Sequence, residues 1–214
     1  MTEVLQTEDK KAKMIMDKES LPILLLVLTL TCVIGAGGLS LTYNTTKDTI
    51  NATVLREQNE TIKKVLPEFK GEITTRMIPV ADQEIPFFIA REKNEIVGIA
   101  TIASENGYGG PVKVMVGILP DSSIYGVELL QHQETPGLGA KAAGEDFRSQ
   151  FKGKVCRSPN ETLIVRKAGE KAHGPERSVN AITAATITSA AFTDAVNKAL
   201  VSFQAHKEKL LSAK

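Results

Sequence analysis

Between Ser20 and Thr46 the chain carries no charged residue, and Leu21 to Tyr43 is a near-continuous run of Leu, Ile, Val, Ala, Gly and Thr. At a helical rise of about 1.5 Å per residue this run reaches roughly 34 Å, which spans a hydrocarbon core of about 30 Å with modest tilt. A buried helix of a soluble domain is normally shorter. A cleavable signal has an apolar region roughly half as long and a shorter charged leader, and Thr29, Leu30 and Thr31 before Cys32 do not resemble a lipoprotein cleavage site. The expectation is a single transmembrane helix over 21–43, after a short solvated tail over 1–20.

Lysine and arginine near the ends of the run set its orientation. Lys10, Lys11, Lys13 and Lys18 precede it, whereas only Lys47 and Arg56 follow closely. The N-terminus is therefore expected in the cytoplasm, and the larger part of the chain on the extracytoplasmic side of the cell membrane. The span itself holds no charge, so no ion pathway is expected in it.

What remains of 214 residues suffices for one compact domain. Lys plus Arg number 26 against 25 for Asp plus Glu, so no basic field exists to attract a nucleic acid. Cys32 and Cys156 are far apart in sequence and the first lies in the apolar run, so they are not expected to pair. His132, His173 and His206 are scattered and no Cys-x-x-Cys occurs, so no metal site is expected.

Lys47 to Leu66 carries Ile50, Val54, Ile62 and Leu66 at helical separations, with Pro67 as a stop, and reads as a helical stalk over 44–68. A domain over 69–214 follows. Phe87 to Arg91 and Ile96 to Ala103 read as one hairpin, and Val112 to Leu119 and Ile124 to Leu130 as a second, turning at Pro120-Asp121-Ser122-Ser123. Gly144 to Phe151 reads as a short helix and Glu161 to Lys167 as a strand. Thr188 to about Leu211 reads as a long helix with Phe192, Ala195, Val196, Ala199 and Phe203 on one face. The order indicates an α+β domain, an antiparallel sheet packed by helices.

Three segments hold more Gly, Pro and hydroxyl residues than such connections need. Gly107-Tyr108-Gly109-Gly110-Pro111 permits close approach of another surface, with Tyr108 available to stack; it also suits a tight turn into the next strand. Glu134-Thr135-Pro136-Gly137-Leu138-Gly139 offers amides, a carboxylate, a hydroxyl and an apolar cover to a flat heterocycle, or is a plain Gly/Pro loop. His132 beside it reads as structural. Asn180 to Ser189 places small residues and hydroxyls at the start of the long helix, where free amides and the dipole favour an anion unless a hydroxyl caps them.

The run Thr183-Ala184-Ala185-Thr186-Ile187-Thr188 resembles the covalent-flavin motif of the FMN-binding domain family: Ser or Thr, a small residue, Ala, then the modified Thr. The other two segments match that family in the same order, as does one span before the domain. Within it the arrangement is most similar to the G subunits of Rnf electron-transport complexes, and next to the C subunits of sodium-pumping NADH:quinone oxidoreductases.

The resemblance implies FMN held by a phosphoester to Thr186, placed there from FAD by a separate flavin transferase. Thr183, Ala184, Ala185 and Thr188 would surround the acceptor. Glu134, Thr135, Gly137, Leu138, Gly139 and Tyr108 would hold the ring. Asn180 stands where the family usually has an aspartate. The implied role is an electron carrier among other subunits of a ferredoxin:NAD oxidoreductase that moves ions. The alternatives are the quinone-reducing complex and a membrane-tethered sensor or assembly domain without redox function.

Overall fold

The computed structural model describes residues 20–80, 83–93, 95–158, 160–167, 170 and 176–212. The expected tail over 1–20 lies, but for Ser20, outside the described residues. The chain divides into two compact units, Met1–Arg56 and Glu57–Lys214.

Helix α1 (Ser20–Val65) runs unbroken for 46 residues, so the expected span and stalk belong to one helix. Its window Leu21–Lys47 is long and apolar enough to cross a membrane, with mean hydropathy 2.3 and no part buried. The hydroxyls of Thr29, Thr31 and Thr42 donate to carbonyls three or four residues back at 2.7, 2.8 and 2.9 Å, so they present no unsatisfied donor to an apolar surrounding.

The second unit is built on an antiparallel meander of β1 (Glu72–Val80), β2 (Gln83–Glu92), β3 (Glu95–Asn106), β4 (Pro111–Ile118) and β5 (Ile124–Gln131), adjacent in chain order. Alternation divides its side chains between two faces. Phe87 and Ile89, with Ile99, Val114 and Val116, face the long helix α3 (Thr186–Leu211). Phe88, Ala90, Ala100 and Met115 face Ile62, Val65 and Leu66 at the end of α1. That helix end lies directly on the sheet: a Cβ at Gly117 would overlap the Val65 carbonyl oxygen, and one at Gly126, its cross-strand partner, would touch Val65 as well.

Both expected hairpins are present. At the turn between β4 and β5, Asp121 Oδ1 accepts from the amide and hydroxyl of Ser123 at 2.9 and 2.6 Å, bonds that hold its carboxyl below the usual range. The expected short helix resolves into α2 (Glu145–Arg148) and a 3-10 turn, Ser149–Phe151. The expected strand over Glu161 to Lys167 shortens to β6 (Ile164–Arg166), which pairs in parallel with a strand the sequence did not announce, β7 (Ser178–Asn180). β1 was also unannounced. It lies at the sheet edge with only Ile78 buried, and its Pro79, Glu72 and Arg76 suit an edge.

Two contacts fix what surrounds α3. Asn197, on its buried side, accepts from Leu163 N at 2.7 Å and donates to Leu163 O at 3.0 Å, satisfying the backbone just before β6. Phe147 and Phe151 meet Phe192 with ring centroids 5.3 and 5.2 Å apart, locking the segment after β5 against the helix.

The Gly117→Ala substitution is expected to destabilise the domain by about 1–3 kcal/mol, because its methyl must displace backbone rather than a mobile side chain. A lowered unfolding midpoint of the detergent-solubilised chain is the readout. An unchanged midpoint would mean that the helix end is not seated on β4.

Candidate functional site

The three segments rich in Gly, Pro or hydroxyl residues are far apart in sequence and meet in space. The β3–β4 turn, the loop after β5 and the turn leading into α3 line one cleft of about 560 Å³, through Tyr108, Glu134, Thr135, Leu138, Gly139 and Ala184 to Thr188. Of the residues singled out in the sequence, Thr183, Gly137 and Asn180 are not in its lining.

Glu134 joins the segments. It is only 6% exposed. Its Oε2 accepts the Thr188 hydroxyl of α3 at 2.7 Å, and Oε1 accepts the Gly109 amide of the β3–β4 turn at 3.2 Å. Its own amide donates to His132 Nδ1 at 3.3 Å, which gives His132 the structural role its position suggested. The nearby glycines follow from this crowding. A Cβ at Gly107 would overlap Glu134 Oε1, and one at Gly139 would lie 2.6 Å from Oε2 and 2.7 Å from Thr188 Oγ1. The glycines of the first segment therefore serve a close approach, beyond what a tight turn requires.

The loop after β5 curls on itself: Leu138 N and Ala140 N both donate to Thr135 O, at 3.2 and 3.3 Å, with Gly137 at φ +78°. The curl leaves the Thr135 side chain exposed and Leu138 42% exposed at the cleft. Tyr108, 73% exposed, stands on the other wall.

Helix α3 begins at Thr186, two residues earlier than the sequence pattern indicated. Its N-cap residue is Ala185, and no side chain caps the helix. The hydroxyls that could have done so are committed or remote: Thr188 donates to Glu134, Ser189 bonds within the preceding turn, and Thr183 is exposed. The capping alternative raised by the sequence is thus not what the hydroxyls do. The first-turn amides, lacking intrahelical acceptors and standing at the positive end of a long helix, are free to receive an anion. Thr186, half-buried, is the first residue of that turn and lines the cleft. These residues fit a phosphate on the Thr186 oxygen and a flat ring in the cleft beside it.

Asn180 lies at the end of β7, where its Oδ1 accepts Arg166 Nε at 3.0 Å and its amide donates to Gln150 Oε1 at 2.8 Å. Sequence reading passed over two neighbours of Thr186. Ile187, 58% exposed, lines the cleft; it falls on the side of α3 that carries exposed Asp194 and Lys198, where an isolated branched apolar residue is out of place. Ser189 is fully buried, and nothing local distinguishes it from the other hydroxyls of the run.

Residues 107–201, which contain all three segments, match the FMN-binding domain family. Across 194 aligned residues the chain is 32% identical to the G subunit of the Na(+)-translocating ferredoxin:NAD(+) oxidoreductase complex of Acetobacterium woodii, covering 84% of this chain and 89% of that protein. It is 33% identical over 171 residues to the G subunit of the ion-translocating oxidoreductase complex of Shewanella piezotolerans, covering 73% and 77%. The crystal structure of Shewanella oneidensis NqrC superposes with a TM-score of 0.54 at 20% identity, covering 71% of this chain and 74% of that one, a likeness of fold.

Removing the Glu134 carboxylate is expected to loosen the whole cleft. Glu134→Ala leaves two donors without an acceptor and should destabilise by about 2–4 kcal/mol. Glu134→Gln should lose less than half as much, since the amide oxygen still accepts Gly109 N–H and the amide nitrogen can donate to the Thr188 oxygen. Equal losses in chemical denaturation would show that charge, rather than the two acceptors, is what holds the segments. Ala184 takes φ +62°, so Ala184→Gly should stabilise the chain by about 1 kcal/mol in the same assay.

Proposed function

Because the chain belongs to the family of G subunits of ion-translocating oxidoreductase complexes, we propose that it carries FMN as a phosphoester on Thr186. It is a flavoprotein component of such a complex, with an FMN-binding domain and one apolar helix that anchors it in the membrane. The observation that carries the covalent reading is the uncapped start of α3, with Thr186 as its first residue beside a cleft sized for a small ligand.

Bound FMN supplies reversible one- and two-electron transfer. The chain supplies the rest. First-turn amides of α3 would receive the phosphate charge, Tyr108, Leu138 and Ile187 would shield the ring from water, and the Thr135 hydroxyl would offer it a polar contact. Glu134 serves the site as a strut, its two oxygens accepting from Gly109 and Thr188. A threonine hydroxyl is a weak nucleophile alone, so activation belongs to the flavin transferase. In that step the Thr186 oxygen bonds to the phosphorus of the FMN half of FAD. The pyrophosphate P–O bond breaks, AMP leaves and the hydroxyl proton passes to a base of the transferase.

On this reading the domain over 69–214 is extracytoplasmic and relays electrons between redox subunits of a ferredoxin:NAD oxidoreductase, while ion movement occurs in other subunits. The lysines before the span support that orientation.

Intact mass of the chain from cells containing the transferase is expected to exceed the sequence mass by one FMN less one water. Thr186→Val should abolish the increment and Thr186→Ser should keep it. An unmodified native chain, or an increment that survives in Thr186→Val, would overturn the assignment.

A further inference from the structure

The turn that delivers the chain into α3 is braced by one buried hydroxyl. Ser189 is fully buried, and its Oγ accepts the Ile182 amide at 2.9 Å while donating to the Ala185 carbonyl at 2.9 Å. The backbone closes the same turn once, from Ala185 N to Ile182 O at 3.0 Å, while Ser189 N to Ala185 O at 3.0 Å is an ordinary i→i−4 bond of the helix start. A serine on a helix commonly donates to the carbonyl four residues back. Accepting an amide seven residues back is not part of that habit, and it ties down the far end of the turn. Between the two tied ends sits Ala184 at φ +62°, a conformation that a residue with a Cβ keeps only while its surroundings enforce it.

We propose that Ser189 is a positioning residue for flavin attachment: through the backbone of Ile182 and Ala185 it holds the turn in the geometry that presents the Thr186 hydroxyl. The inference rests on the reading of Thr186 as the acceptor. With one bond accepted and one donated, the Ser189 hydroxyl has no proton left to offer the reaction, so its contribution is geometric. Attachment is a transfer between two proteins, in which the acceptor oxygen must meet a phosphorus held in a foreign active site. A displacement of about 1 Å in such an encounter costs on the order of a hundredfold in rate. Thr186 follows directly the residue whose carbonyl Ser189 grips.

Thr193 provides the control. It is also fully buried, and its hydroxyl bonds within the helix, to the Ser189 carbonyl at 2.8 Å. Ser189→Ala and Thr193→Val each remove one buried hydroxyl from the same helix, but only the first removes a side-chain bond that the turn depends on at Ile182.

The full chain, purified in detergent from cells lacking the transferase, is mixed with transferase and FAD, and attachment is followed by intact mass. Ser189→Ala should take up FMN at least about tenfold more slowly than the unaltered chain, and Thr193→Val at the unaltered rate. An unchanged rate in Ser189→Ala, or equal slowing in both variants, overturns the proposal. Failure of the unaltered chain to take up FMN overturns the assignment of Thr186, and this inference with it. Amide exchange in the unaltered chain decides the matter even where Ser189→Ala does not fold. The Ile182 amide should be as protected as the first buried turn of α3, and rapid exchange there overturns the proposal.

Discussion

The carboxylate of Glu134 is the interaction on which the site depends. Three segments that begin near residues 107, 132 and 180 have no mutual sequence proximity and little regular structure of their own. Each of the two carboxylate oxygens takes a donor from a different segment, Gly109 N–H and Thr188 O–H, while the residue itself belongs to the third. A buried carboxylate is tolerated only when its oxygens are satisfied, and here both are. The same crowding dictates glycine at 107 and 139, because a side chain at either would occupy the space of the carboxylate. The cleft wall is therefore a bonded unit, and its glycines are a consequence of the strut as much as of any ligand.

The sheet supplies the frame that lets one strut suffice. Its α3 face is filled by Phe87, Ile89, Val114 and Val116 against Phe192, Val196 and Phe203, so the placement of α3 does not rest on loop contacts alone. The opposite face receives Ile62, Val65 and Leu66, with Gly117 and Gly126 clearing room for the helix backbone. Each helix thus has a face of its own, and neither contact intrudes on the cleft.

The sequence features that survive folding are those with a local physical cause. An uncharged run of helical spanning length can be read directly, and so can two hairpins rich in branched residues and the face of α3 marked by Phe192, Ala195, Ala199 and Phe203. β1 escaped notice because its apolar residues Ile73, Met77, Ile78 and Val80 follow no strict alternation and only Ile78 is buried, so that pairing with β2 is what marks it as a strand. β7 escaped because three residues in a parallel pair carry no pattern, and their partner lies beyond a long connection. At the site, Thr186, Tyr108 and Leu138 were legible as acceptor, stacking ring and apolar cover, but the bonds that join their segments were not. Nothing in Glu134-Thr135-Pro136-Gly137 says that the glutamate faces inward as a strut while the threonine faces out. Ser189 is one hydroxyl in a run of them until the fold shows which amide it accepts.

A tether at a helix start has a consequence for how tightly the rest of the cleft must bind. Once a phosphate is fixed at the uncapped amides of α3, the ring attached to it is confined near the cleft, and its effective concentration there no longer depends on free cofactor. Non-covalent contacts then need only orient the ring. The wall offers what that task requires: an exposed tyrosine, an exposed leucine and an exposed isoleucine beside the exposed Thr135. A site that had to retain a diffusible flavin would need to enclose it, and enclosure would separate the ring from the partners with which it exchanges electrons. On the proposed reading, placing the affinity in one covalent bond at Thr186 would let the ring stay accessible to those partners, and the exposed side chains of the cleft wall accord with that arrangement.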